Sequence, residues 1–130
     1  MIKHPNRIKQ VLDFRGVGNS KIHPTDIDAV LEFDNKFLIL FEIKLKGKEN
    51  TIGQELVLKR IVDCWEKVNR KAFIIYCEHN TNPKEIVTME NTLVNRIYTG
   101  GVNYKRKQNL KQCLIKLADY YKITKLKDSL

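Results

Sequence analysis

Apolar side chains recur at every second position in two neighbouring stretches of this chain. In Ile27–Phe33, residues Ile27, Ala29, Leu31 and Phe33 fall on one face of a strand. In Phe37–Ile43, Phe37, Ile39, Phe41 and Ile43 do the same. The polar connection Asp34-Asn35-Lys36 suits a hairpin between them. These apolar faces call for helices to cover them. The opposite face carries Asp28, Val30 and Glu32, then Leu38, Leu40, Glu42 and Lys44, and is only partly apolar.

The rest of the pattern alternates helix and strand. Ile8, Val11 and Leu12 sit at helical spacing in Asn6–Phe14, and the glycines within Arg15–Ser20 end that helix. A long helix is predicted over about Thr51–Val68, followed by a buried strand at Ala72–Cys77. Pro83 opens a short helical or irregular piece, and Thr92–Thr99 reads as a last strand ending at Gly100-Gly101. The final helix is predicted over about Lys105–Tyr121, with Leu110, Leu114, Leu117 and Tyr121 as one stripe. With no repeat, low-complexity tract or linker, residues 1–130 read as one α/β domain with a central mixed sheet flanked by helices.

Charge adds a partner to this picture. The 24 basic and 15 acidic residues give a net charge of +9, a field that attracts polyanions. Nucleic acid is the first candidate, because each neutralised phosphate releases counterions. No apolar run approaches a membrane span, and the N-terminus turns polar at once, unlike a signal peptide. The scattered cysteines Cys64, Cys77 and Cys113 form no disulfide framework, which fits a reducing cytoplasm.

Pairing the two clear strands symmetrically about Asn35 puts Asp28 opposite Glu42 and Asp26 opposite Lys44. Opposed Cβ atoms in such a pair lie roughly 4.5–5.5 Å apart. Two carboxylates so placed repel unless a cation sits between them, and magnesium takes carboxylate oxygens readily. Lys44, two residues beyond Glu42, projects from the same face. A metal there can polarise a phosphoryl oxygen and activate water, while Lys44 can position that water, take its proton if its pKa is lowered, or stabilise developing charge. The carbonyl of Ile43 is a candidate third ligand.

Pro24-Thr25-Asp26-Ile27-Asp28-Ala29-Val30 followed by Phe41-Glu42-Ile43-Lys44 resembles the PD-(D/E)xK nuclease superfamily, which includes restriction enzymes, Holliday-junction resolvases and small viral and phage replication-repair nucleases. The resemblance spans Arg15 to about Asp63. It implies a restriction-endonuclease-like core, magnesium (with manganese as a substitute), DNA as substrate, branched or structured DNA in particular, and a homodimer. It also implies a role for Gln54, since many members carry a glutamine early in the helix after the E-x-K strand. Gln54, Leu58, Ile61 and Trp65 share one inward stripe here.

Two departures stand beside the resemblance. Thr25 separates the proline from the acids, so Asp26 or Asp28 could match the metal-binding aspartate. Hairpin geometry favours Asp28, with Asp26 supporting it or serving a second metal. Several members also carry a glutamate on the first helix, where this chain has only Asp13. Arg15, Lys21 and Lys46 are candidate phosphate contacts, as are Lys105, Arg106 and Lys107 on the final helix. A small phage or mobile-element enzyme acting in a host cytoplasm fits the composition.

Blander readings compete with each of these. Asp28, Glu42 and Lys44 could form a solvent-facing salt-bridge cluster, although strongly apolar neighbours weigh against it. Cys77-Glu78-His79 lacks a partnered second pair for zinc. His4 and His23 read as surface residues, and Gly16 with Gly18 does not fit a dinucleotide fingerprint. A scaffold that kept the fold and lost the chemistry, binding nucleic acid or protein, is the rival function. RNA is the rival substrate.

Overall fold

A computed structural model describes residues 16–17, 24–68 and 70–130. The predicted helix Asn6–Phe14, along with Asp13, Arg15 and Lys21, lies outside them.

Five strands form one mixed sheet in sequential order: β1 (Ala29–Phe33), β2 (Phe37–Leu45), β3 (Lys71–His79), β4 (Leu93–Thr99) and β5 (Val102–Asn109). Among the described residues three α-helices accompany them: α1 (Ile52–Glu66), α2 (Leu110–Tyr121) and α3 (Thr124–Asp128). Only β2 and β3 run parallel; the other neighbours are antiparallel. A parallel pair needs a crossover, and α1 provides it. Thr51 starts that helix by accepting the N–H of Gln54 on its hydroxyl at 3.2 Å.

The β1–β2 turn follows from local chemistry. Lys36 N–H donates to the Phe33 carbonyl at 2.9 Å, while Asp34 and Asn35 both take positive φ. Asp and Asn tolerate that region better than most residues. Ala29 consequently pairs with Phe41 and Leu31 with Ile39, the register centred on Asn35.

Each face of the sheet has its own core. On one face, Ile39, Phe41, Phe73 and Ile75 pack against α2 and α3 through Leu110, Leu114, Leu117 and Leu126. Ala29, Leu31, Phe33, Phe37 and Ile43 pack on its margin, whereas Ile27 stays 36% exposed. On the other face, Leu38, Leu40, Ile74 and Tyr98 pack against Leu58 and Val62 of α1. The face expected to be only partly apolar is thus covered by a helix as well, and Glu42 is caught beneath it.

The expected last strand and final helix need correction. Lys105, Arg106 and Lys107 do not lie on the final helix; they lie on β5, an exposed edge strand. Gly100 and Gly101, both at positive φ, turn β4 back into β5, and the helix begins only after Asn109, whose side chain accepts the N–H of Gln112. The region after Pro83 takes the irregular form of the two expected, with a 3-10 turn following at Met89–Asn91.

A register shift in β4 has a large effect. Tyr76 pairs with Arg96, but Cys77 pairs with Val94, leaving Asn95 as the extra residue of a β-bulge. Val94 therefore enters the α2-side core while Arg96 points to the α1 side.

Candidate active site

The site forms where β1 gives out beside β2. Asp28 immediately precedes β1, and its Oδ2 accepts the backbone N–H of Ile43 at 2.7 Å. The carboxylate thus takes the place of a further ladder residue. In a strand, the N–H and C=O of one residue point to the same side. Because the N–H of Ile43 meets Asp28, its carbonyl opens toward Asp28 too.

Glu42 is fully buried. Its Oε2 accepts a hydrogen bond from Gln54 Nε2 at 2.9 Å and lies 3.9 Å from Lys44 Nζ. Its Oε1 is buried with no hydrogen-bond partner among the described residues. Burial pushes the Glu42 carboxyl up to about 7, and repulsion from Asp28 adds to that, while Lys44 and the Asp28 backbone pull the other way. Leaving a buried polar atom unpaired is costly, so a cation at this oxygen would stabilise the fold.

The structure brings Asp28, Glu42, Ile43, Lys44 and Gln54 together. Asp26 is exposed and acts on Glu42 only as a minor repulsive charge. Lys46 is exposed just beyond β2, its backbone N–H tied to the His79 carbonyl at 2.8 Å. Among the described residues no cluster of three or more His, Cys, Asp or Glu side chains could hold a metal. The available donors are two carboxylates and one backbone carbonyl, all hard oxygens of the kind magnesium prefers. With the unpartnered Glu42 Oε1, that donor set fits a magnesium-like ion better than a soft one.

Sequence reasoning missed Arg96. Its guanidinium lies 3.6 Å from the ring centroid of Tyr76, the cross-strand neighbour of Glu42, and it pairs with Glu55 of α1. Arg96 also donates to Asn103 Oδ1 at 3.0 Å and is the partner of Lys105 in register. Glu42, Tyr76, Arg96 and Lys105 therefore form one row across the sheet, from acid to base. Nothing local in the sequence signals this, since the bulge at Asn95 decides which face Arg96 takes. Two surface clefts, of about 430 and 480 Å³, lie away from Asp28 and Glu42. Asp28 sits exposed at the open end of the strand pair, with Glu42 buried beside it under α1.

In comparisons with known proteins, the chain matches no family model, no curated protein and no solved structure.

Proposed function

We propose that this chain is a magnesium-dependent nuclease of the PD-(D/E)xK kind, with a restriction-endonuclease-like core, acting on DNA and most readily on branched or structured DNA. The observation that carries the reading is the buried Glu42, with one oxygen free, beside Asp28 at the hairpin end and in reach of Gln54 and Lys44. A bare salt-bridge cluster would leave these groups in water; here one of them is buried under a helix.

Asp28, Glu42 and the Ile43 carbonyl would hold the ion. Magnesium bound there supplies Lewis-acid polarisation of a phosphoryl oxygen and a more acidic water. Gln54 fixes the Glu42 carboxylate through Oε2, which leaves Oε1 as the oxygen available to an ion. Lys44, 33% exposed, reaches solvent from the same strand and can hold an attacking water or the charge that develops on phosphate. The row through Arg96 and Lys105 and the neighbouring Lys107 extends positive charge away from the carboxylates, along which a DNA backbone can lie.

Linear, nicked and four-way-junction DNA, incubated with magnesium, manganese or chelator, test this directly, with RNA in parallel. Asp28→Ala and Glu42→Ala should each lower cleavage by about 100-fold or more. Cleavage that survives both substitutions would overturn the site. Binding without cleavage in either metal would leave a nucleic-acid-binding module on a nuclease scaffold, and faster RNA cleavage would reassign the substrate. A homodimer belongs to the same reading through the family resemblance; a monomer mass by light scattering, with and without DNA, would remove it.

A further inference from the structure

The sheet face opposite the carboxylates carries a cleft of about 430 Å³ between β5 and α2. Its walls combine three tyrosines, Tyr104, Tyr120 and Tyr121, with three cations, Lys71, Arg106 and Lys116. Phe73, Ile97 and Leu117 form an apolar floor, and no carboxylate among the described residues lines it. We propose that this cleft binds an unpaired segment of DNA, stacking bases on the tyrosines and holding phosphates on Arg106 and Lys116. The proposal rests on DNA being the substrate, but not on cleavage.

The rings are placed for stacking. Tyr104 is 43% and Tyr120 80% exposed, while Tyr121 is anchored edge-on against Phe73 at 5.2 Å and Tyr120 at 4.8 Å. Large aromatic surface left open to water gains by covering, and every base offers a π-face to cover it. The cations are placed for phosphate. Lys71 is matched by Glu66 at 3.4 Å, whereas Arg106 and Lys116 have no carboxylate partner among the described residues. They are held by neutral acceptors instead: Arg106 donates to the Lys105 carbonyl at 2.8 Å and Lys116 to Gln108 Oε1 at 3.3 Å. Arg106 also lies over the Tyr104 ring, 5.7 Å from its centroid, so the cation stands beside the ring and is matched by no carboxylate among the described residues.

Rings and cations together select against other occupants. An acidic peptide would satisfy the charges without using the rings. Intact duplex has its bases stacked internally and offers the tyrosines none. The position of the cleft supplies the rest. Along β5, Tyr104, Arg106 and Gln108 turn to the cleft, while Lys105 and Lys107 alternate to the face that holds Arg96 and Glu42. β5 thus borders the cleft on one face and, on the other, ends the row that runs through Arg96 and Tyr76 to Glu42 three strands away, so a branch point can seat its single strand on one face and lay its duplex along the other.

The full chain in chelator, where cleavage is suppressed, should bind fluorescent oligothymidylate measurably by anisotropy. A Tyr104→Ala/Tyr120→Ala double variant should weaken that binding about 30-fold or more, and blunt duplex binding less than about twofold. Tyr104→Phe/Tyr120→Phe should restore it, because the ring is kept. Both rings are at least partly exposed, and circular dichroism checks that the variants fold. Equal losses for single strand and duplex, or no loss at all, would overturn the stacking cleft. Tighter binding of RNA of matched sequence would overturn DNA as its ligand, and displacement by polyglutamate at equal charge would overturn stacking. Selective single-strand binding without cleavage in any metal would sink the nuclease reading and leave the cleft standing; cleavage with no single-strand selectivity would do the reverse.

Discussion

Glu42 shows how one side chain can make a fold depend on its surroundings. In the metal-free chain its carboxyl is held near 7 against an ordinary 4.5. The unfolded chain gives up this proton first, so between those values the folded state binds more protons. Stability should therefore fall as pH rises through about 4.5 to 7, by at most roughly 3 kcal/mol, and stay level with respect to this group below that window. Urea midpoints in chelator at pH 5 and pH 8 measure it. Glu42→Gln should flatten the difference while abolishing cleavage, and magnesium should raise the wild-type midpoint more at pH 8 than at pH 5. No response to magnesium would count against the ion site. The cysteines give a second check. Burial pushes Cys77 up to about 12 and raises Cys113 too, while Cys64 is exposed. A thiol reagent at pH 8 should label Cys64 quickly and the other two only on unfolding; rapid labelling of all three would show a looser core.

At the level of elements, the hairpin was legible because its determinants are local. Asp34 and Asn35 set the turn, and the turn sets the register that brings Asp28 to Glu42. Helix α1 was legible from its stripe, which carries Gln54 onto Glu42. Leu58, fully buried in that stripe, should cost about 3 kcal/mol when truncated to alanine, read from chemical denaturation. A loss under 1 kcal/mol would mean that α1 is not clamped on the sheet. Strand β5 was not legible. An edge strand exposed along most of its length shows no apolar alternation, and Val102–Asn109 ran directly into the stripe that begins at Leu110. Only the paired glycines and the Asn109 cap mark the change. Arg96 was hidden for a different reason: its role depends on Glu55 and Tyr76, which are far away in sequence.

For the whole molecule, part of the basic charge has a location. Lys105, Arg106 and Lys107 line up on an outer edge, and like charges on such an edge discourage strand-to-strand pairing there. If Lys105 and Lys107 each neutralise a phosphate, replacing both by alanine should reduce the slope of log affinity against log salt for duplex DNA by about 2. An unchanged slope would move the DNA track elsewhere. No helix among the described residues is long and apolar enough to cross a membrane. The bulge at Asn95 ties these parts together. It works like a frameshift in a two-sided text, with one inserted residue reversing which page the next letters print on. Deleting Asn95 would force either Val94 out of the hydrophobic layer or Arg96 into it. Substitutions of Asn95 should therefore be mild, whereas changes in the length of β4 should not. In this protein the spelling at that position is free, and the count is fixed.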